Sequence, residues 1–338
     1  MKNKILCNLK SFVPVLILFL LYASCGKHTR QSEIDTPEIK ITRFEEMLFT
    51  TDPAVLEDSI AVWQNNPDEF FSHYSYILNL GTTNQPGYTE RLREFVTDRM
   101  NYEIYSRTMQ VFPNLEELTA ELSEAFGHYR NEFPDKTIPV VYTFVSGFSQ
   151  SAITDDSILA IGLDRYLGKD EPLYREVGIY NYLLKNMHPG KIVSDCMNFW
   201  GETEFVFNDS VDNLISNMIY RGRMLYFISA MLPDHPDTSN WGFSNQDLRY
   251  LEKSEKSIWA FLVEQKLLFI SDRFTISKYI LEGPFTTDLG TDSPARAAIW
   301  TGYRITDSYM RRNPDVTLAE LMAERDYLKI LNQSGYNP

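Results

Sequence analysis

Residues 209–234, DSVDNLISNMIYRGRMLYFISAMLPD, decide the fold of this chain. Apolar residues recur there at intervals of three and four, which is the spacing of one helical face, and a second apolar stripe begins at Met224. A helix that is apolar almost all round is a buried helix. Asp209 and Ser210 are favourable caps, and the residue before Pro233 avoids the helical region, so we predict a central helix over residues 209–232.

Two arginines, Arg221 and Arg223, interrupt this apolar surface. In one interpretation their aliphatic stems pack against the core while the guanidinium groups reach water or pair with a carboxylate. In the other, they place positive charge inside a groove. The sequence of the helix leaves both interpretations open.

The start of the chain predicts a targeting segment. Three lysines precede an apolar run over residues 11–22, which is shorter than the ~18–20 residues that a membrane-spanning helix needs. The run ends in Ala23-Ser24-Cys25, and two small residues followed by cysteine resemble a bacterial lipobox. We therefore predict a lipoprotein signal peptide over residues 1–24 and an acylated Cys25. An ordinary signal peptide cut near Ala23 is the alternative.

The remaining chain divides into a tether and a domain. Residues 25–37 are polar and aperiodic, which predicts a lipid-anchored tether, and residues 38–338 have the length and apolar content of a folded domain. With Cys25 acylated and Cys7 in the signal peptide, Cys196 is the remaining thiol. We expect Cys196 to be a core residue, and clustered-cysteine zinc sites are excluded.

Charge limits the partners that this chain can bind. The formal net charge is −14, and removal of residues 1–24 leaves 29 basic against 46 acidic residues, or −17. Such a surface is poorly suited to nucleic acid and to anionic lipid headgroups. We expect no nucleic-acid partner, and attachment to a membrane through the lipid anchor rather than through basic patches.

The periodicity of the chain predicts a helix-dominated α+β fold in a single domain with a small, mostly antiparallel sheet. Residues 38–44 alternate as a first strand, and residues 138–145 and 157–163 are β-branched runs that predict a neighbouring antiparallel pair. Most of the remainder predicts helices, with four examples over residues 173–187, 192–204, 245–267 and 317–332.

Several segments together resemble the GldB family of gliding-motility lipoproteins. The segments are the lipobox, EIKITRFE at residues 38–45, LAIGLDRYLGKD at 159–170, RGRMLYFISAMLPD at 221–234 and AIWTGYRITDSYMRRNPDVTLAELM at 298–322. The resemblance implies a cell-envelope lipoprotein linked to gliding motility or to the associated protein-secretion apparatus. It also implies envelope protein partners, and we expect the lipid to lie in the outer membrane with the protein facing the periplasm.

The layout of this family resembles a zinc metallopeptidase of the HExxH kind, or zincin. Such enzymes need two histidines four residues apart with a glutamate between them. The corresponding helix here is residues 192–204, whose best match to that frame is residues 194–198, SDCMN. The third zinc ligand of such enzymes is a glutamate, and its position corresponds to Arg221 in this chain. The resemblance thus implies a zincin-like scaffold without metal ligands, and we expect no cofactor and no catalytic residue.

Two functions follow as alternatives. The first is a non-catalytic protein that binds a partner in the relict peptidase groove through Asp195, Arg221 and Arg223. The second is a metal- or carboxylate-dependent hydrolase, with Asp155, Asp156 and Asp164 as candidate carboxylates. We favour the first alternative, because the five histidines are scattered and the three aspartates are more simply explained by a hairpin loop and a capping residue.

Overall fold

The computed structural model describes residues 35–66 and 69–338; the predicted signal peptide, Cys25 and most of the predicted tether lie outside them. Residues 36–338 belong to one compact unit. Four strands are described: β1 Ile41–Arg43, β2 Val140–Phe144, β3 Ala152–Asp155 and β4 Ile158–Gly162. The helices up to the middle of the chain are α1 Phe44–Thr50, α2 Leu56–Trp63, α3 Phe70–Ile77, α4 Tyr88–Thr97, α5 Arg99–Val111, α6 Glu116–Glu132, α7 Pro172–Glu176 and α8 Asn181–Leu184. The later helices are α9 Ile192–Glu204, α10 Leu214–Met231, α11 Asp237–Trp241, α12 Asn245–Glu264, α13 Arg273–Ile280, α14 Ala297–Arg312, α15 Leu318–Ala323 and α16 Tyr327–Ser334.

The helix-dominated α+β prediction is confirmed, but the predicted antiparallel sheet is wrong. The strand order is β1-β2-β4-β3, and β2 runs parallel to both β1 and β4. Only β3 and β4 are antiparallel. The chain inserts β3 between the two predicted strands, and the tight turn after Asp155 then reverses the chain into β4. The sheet is therefore mixed.

Both faces of the sheet are buried. Tyr142, Phe144 and Ile158 pack with the aromatic side chains of helices α1–α4, whereas Val141 and Leu159 face the larger core around α6, α9 and α10. This alternation follows from the period of two in a strand. Strands buried on both faces are continuous apolar runs, a pattern typical of parallel pairing that residues 138–145 and 157–163 already show.

The central helix is confirmed as a buried helix, although α10 begins later than predicted. Residues 209–211 form a separate 3-10 turn, and the side chain of Asn213 accepts the backbone N–H of Ser216 at 3.0 Å. Asn213 is therefore the cap that starts the helix. The helix ends at Met231, two residues before Pro233, as predicted.

The helix over residues 192–204 is confirmed, but two longer predicted helices are interrupted. Residues 173–187 form α7 and α8, separated by Gly178 in the left-handed conformation (φ +80°). Residues 317–332 are divided between α15 and α16 by residues 324–326. In both segments apolar spacing continues across a break in the backbone, which periodicity alone does not reveal.

The backbones of α10 and α14 touch where Gly222 meets Gly302. A Cβ atom built on Gly302 would lie 1.8 Å from the carbonyl oxygen of Met218. A Cβ atom built on Gly222 would lie 2.1 Å from the backbone of Gly302. Because neither position has space for a methyl group, the two glycines allow the central helix to approach α14 this closely.

Replacement of Gly302 by alanine should therefore force the two helices apart. Overpacking a closed contact of this kind costs about 3 kcal/mol. We expect Gly302→Ala to lose that much free energy of unfolding, measured by urea denaturation with circular dichroism.

Gly283→Ala is the matched control, since the nearest atom to its added Cβ would be the carbonyl oxygen of Phe285 at 3.6 Å, an ordinary contact. Equal unfolding free energies for the two variants would show that the glycine contact does not determine the helix crossing.

Candidate functional site

A cleft of about 290 Å³ lies between α9 and α10, and α11, the end of α13 and the start of α14 complete its walls. On α9 the lining residues recur at spacings of three and four, so one face of the helix is turned to the cleft: Asp195, Asn198, Phe199 and Glu202. On α10 the corresponding residues are Arg221, Leu225 and Ile228. The predicted groove residues Asp195 and Arg221 therefore line the same cleft.

A second cavity of about 200 Å³ adjoins the first. It is lined by Arg165 and Tyr166 from the turn after β4. Four residues line both cavities: Lys191, Asp195, Glu282 and Arg296. We call the two cavities together the α9–α10 cleft.

The carboxylate of Asp195 is held by two donors. Lys191 Nζ donates to Asp195 Oδ1 at 2.5 Å, and the Tyr166 hydroxyl donates to Oδ2 at 3.0 Å. Burial raises the pKa of Tyr166 well above its usual value, and the nearby Asp195 raises it further, so the hydroxyl keeps its proton. Lys191 is itself 6% exposed. The Asp195 carboxylate is thus held in place by two donors, and its charge is paired with that of Lys191.

Arg221 is only weakly paired. Its Nη1 lies 3.5 Å from Glu202 Oε1, and its side chain is 35% exposed. Its Nε is buried and has no hydrogen-bond acceptor among the residues that the structure describes. A buried donor without an acceptor costs free energy, so this guanidinium has donor capacity left for a ligand.

Arg296 closes one end of the cleft. It precedes α14 in the left-handed conformation (φ +61°), which is uncommon for a residue other than glycine. Its Nε lies 2.8 Å from Glu282 Oε1, and its Nη2 donates to the carbonyl oxygens of Trp241 and Gly242 at 3.0 and 3.1 Å. These contacts compensate the backbone strain and fix the shape of the cleft.

The α9–α10 cleft carries more positive than negative side chains. Four cations line it, Arg165, Lys191, Arg221 and Arg296, against three carboxylates, Asp195, Glu202 and Glu282. The whole chain has 46 acidic and 32 basic residues. The charge of the cleft is therefore opposite to that of the chain, which favours an anionic ligand.

The carboxylates of the hydrolase alternative do not line this cleft. Asp155 pairs with Nε2 of His73 at 3.0 Å beside the β3–β4 turn. Asp164 is fully buried, and its Oδ2 accepts the backbone N–H groups of Ser146 and Phe148. Burial raises the pKa of Asp164 to about 6, against the opposing effect of these hydrogen bonds. Its contacts are those of a residue that braces a loop.

The sequence matches the family described as gliding motility protein GldB over residues 25–338. The chain belongs to the GldB family. It matches no curated protein and no solved structure. The family relates this chain to gliding motility and confirms the resemblance drawn from the sequence segments.

Helices α9 and α10, which correspond to the ligand-bearing helices in the zincin resemblance, are neighbours in this GldB-family chain. Asp195 and Asn198 of the SDCMN frame line the cleft with Arg221. Cys196 is buried in the core, and burial raises the pKa of its thiol, as expected for a structural cysteine. Over residues 35–66 and 69–338, no group of three or more His, Cys, Asp or Glu side chains could hold a metal ion. The zincin likeness itself stays a prediction.

Arg223, the third predicted groove residue, does not line the cleft. It is 2% exposed, and its Nη1 donates to the carbonyl oxygens of Leu321 and Glu324 at 3.1 and 2.5 Å. Its guanidinium also lies 5.6 Å from the ring centroids of Tyr220 and Tyr327. Residues two apart point to different sides of a helix, so Arg223 instead ties the α15–α16 junction to the central helix.

Several cleft residues were not predicted from the sequence. Arg165 lies in the family segment at 159–170, but nothing in its spacing connects it to Asp195. Lys191 could have been found, since it lies four residues before Asp195 at the start of a predicted helix. Glu282, Arg296 and Asn240 come from loops and helix ends, and only the packing of α11, α13 and α14 brings them to the cleft.

The two neighbouring arginines should differ in their effect on stability. Arg223→Met leaves the carbonyls of Leu321 and Glu324 without their charged donor, so we expect a loss of about 3 kcal/mol in free energy of unfolding. Arg221→Met is the matched variant and should change it by less than about 1 kcal/mol, as for other exposed ion pairs. Urea denaturation of both variants measures the difference, and equal losses would contradict these roles.

Proposed function

We propose that this GldB-family chain is a cell-envelope lipoprotein that binds a protein partner of the gliding or associated secretion machinery without catalysing a reaction. It is anchored through acylated Cys25, in the outer membrane facing the periplasm. The partner lies in the α9–α10 cleft. Of the predicted groove residues, Asp195 and Arg221 contact the partner there, whereas Arg223 only stabilises the fold.

The lipid anchor is supported by the chain start and by charge. Ala23-Ser24-Cys25 follows a short apolar run, and the chain from Cys25 onward has a formal charge of −17, which disfavours binding to anionic headgroups. In the part of the chain that the structure describes, no helix has the length and apolar character needed to cross a membrane. A single acyl chain gives only marginal anchoring, so a multiply acylated cysteine fits stable attachment.

The weak pairing of Arg221 is the observation that carries the binding proposal. In the zincin resemblance this arginine corresponds to a metal ligand, and a cation at such a position would disfavour zinc. Its buried Nε has no acceptor among the described residues, and the 3.5 Å contact with Glu202 is long for a hydrogen bond. A carboxylate of a partner can accept from both Nε and an Nη atom.

The anchor is tested by replacing the acylated residue. Cys25→Ala should move the protein from the membrane pellet to the soluble fraction of lysed cells, because no acyl chain is then attached. Fractionation followed by immunoblotting measures the shift. A Cys25→Ala protein that pellets as the native protein does would contradict the lipobox interpretation.

The binding role is tested by charge reversal in the cleft. We expect Arg221→Glu to abolish cross-linking to the envelope proteins that the native chain captures from detergent-solubilised membranes. Arg93→Glu is the matched control, since the Arg93 side chain is 40% exposed and its Nη1 lies 3.7 Å from Glu90, a similarly weak pair on α4. Thermal unfolding of both variants shows whether the fold is intact.

Metal analysis and a peptide-library assay of the same preparation separate binding from catalysis. Stoichiometric zinc, or peptide cleavage that a chelator abolishes, would overturn the non-catalytic proposal in favour of the hydrolase alternative. Identical capture by Arg221→Glu and the native chain would place the partner surface elsewhere.

A further inference from the structure

Four residues that line the larger cavity of the α9–α10 cleft carry a buried polar atom without a hydrogen-bond partner among the described residues: Arg221 Nε, Asn240 Oδ1, Glu282 Oε2 and Arg296 Nε. Glu282 and Arg296 form a close ion pair with each other at 2.8 Å, which leaves the donor Arg221 Nε and the acceptor Asn240 Oδ1. Asn240 is 2% exposed, and its Nδ2 donates to the carbonyl oxygens of Leu232 and His235 at 3.2 and 3.4 Å, which fixes the orientation of its amide. Buried polar atoms usually have a partner. Arg221 Nε and Asn240 Oδ1 together therefore indicate a ligand with one acceptor and one donor.

An apolar wall accompanies these two atoms in the same cavity. Its side chains come from α10, α11, α13, α14 and the residue after α13: Leu225, Ile228, Trp241, Ile280, Leu281 and Ile299. Leu281 is 53% exposed although it lines the cavity. The wall can therefore bury an apolar side chain of a ligand, and binding gains from the apolar area removed from water.

We infer that the α9–α10 cleft binds the free carboxyl terminus of a protein chain whose last residue is apolar. This inference rests on the proposed partner-binding function of the cleft. A C-terminal residue carries a carboxylate, a backbone N–H and a side chain on one Cα atom. The carboxylate accepts from Arg221, the N–H donates to Asn240 Oδ1, and the apolar side chain contacts the wall.

The smaller cavity extends the site along the ligand chain. It shares Lys191, Asp195 and Arg296 with the larger cavity and adds Arg165, whose buried Nε also has no acceptor in the described part of the chain. A backbone carbonyl upstream of the last residue can accept from Arg165. The cleft therefore has room and hydrogen-bonding groups for more than a single residue.

Other anions match this arrangement less well. A phosphate has no apolar group for the wall, and a fatty acid has no N–H for Asn240. An internal aspartate or glutamate places its carboxylate at the end of its side chain, so the same residue offers no apolar group. The C-terminal residue is the simplest ligand that satisfies the donor, the acceptor and the wall together.

The inference is tested with synthetic hexapeptides and the full-length protein in detergent. The peptides end in Leu, Phe, Lys or Asp, and each is made with a free carboxylate and with a carboxamide. We expect fluorescence anisotropy to show that the Leu and Phe free acids bind at least 10-fold more tightly than their amides and than the Lys-ended and Asp-ended peptides.

Variants of the cleft test the assigned contacts. Arg221→Gln should weaken binding of the Leu-ended free acid about 10- to 100-fold and should weaken binding of its amide much less. Leu281→Asp should remove the preference for apolar ends, and its exposure makes a folding defect unexpected. Arg93→Gln, which changes an equally weak pair outside the cleft, should bind like the native protein.

Three results would overturn the inference. Equal binding of acids and amides would exclude the carboxylate, and equal binding of an amidated peptide with an internal Asp would assign the cleft to acidic side chains. Absence of any peptide binding, while Arg221→Glu still abolishes envelope capture, would overturn the C-terminal ligand and leave the proposed function standing. If the Arg221 variants keep both envelope capture and peptide binding, the proposed function and the C-terminal ligand are both overturned.

Discussion

The contact between Gly222 and Gly302 is the constraint on which the arrangement of this protein depends. It lets the backbones of α10 and α14 meet without side chains between them. Arg221 is next to Gly222 on α10, and Arg296 lies at the start of α14. Close crossing of the two helices therefore brings these cations to one cleft, although they are distant in sequence.

The same crossing separates the roles of Arg221 and Arg223. Gly222 faces α14, and the flanking arginines leave the helix on different sides. Arg223 enters the core and bonds to backbone carbonyls, whereas Arg221 remains half-exposed beside Glu202. Burial of a cation is costly unless it is hydrogen-bonded, and two backbone carbonyls at the α15–α16 junction accept from Arg223 Nη1. Both arginines have a buried Nε without an acceptor among the described residues, but only Arg221 lines the cleft, which makes it the residue available to a ligand.

The mixed sheet provides the platform for the other side of the cleft. The turn after β4 carries Arg165 and Tyr166, and Tyr166 reaches Asp195 on α9. Hydrophobic clusters cover both faces of β2 and β4, so the turn after β4 leaves a strand that is packed above and below. The cleft thus has a rigid polar floor. A rigid floor favours one ligand geometry, whereas a flexible surface would adapt to several.

The sequence by itself determined the elements whose cause is local. Apolar spacing and the proline at 233 fix α9 and the end of α10, and the segments shared with the GldB family identify the family. The resemblance to a zincin layout also implied that Asp195 and Arg221 lie in one groove. These features depend on periodicity, capping and short motifs, all of which can be recognised within a few turns of chain.

The tertiary structure decided everything that depends on residues distant in sequence. The direction of β4 relative to β2 follows from the insertion of β3, the role of Arg223 from carbonyls about one hundred residues later, and the contributions of Asn240, Glu282 and Arg296 from the packing of three further helices. Periodicity specifies which face of an element is buried but not which element buries it. The composition of the cleft was therefore set by long-range packing, above all by two glycines whose significance appears only when their helices cross.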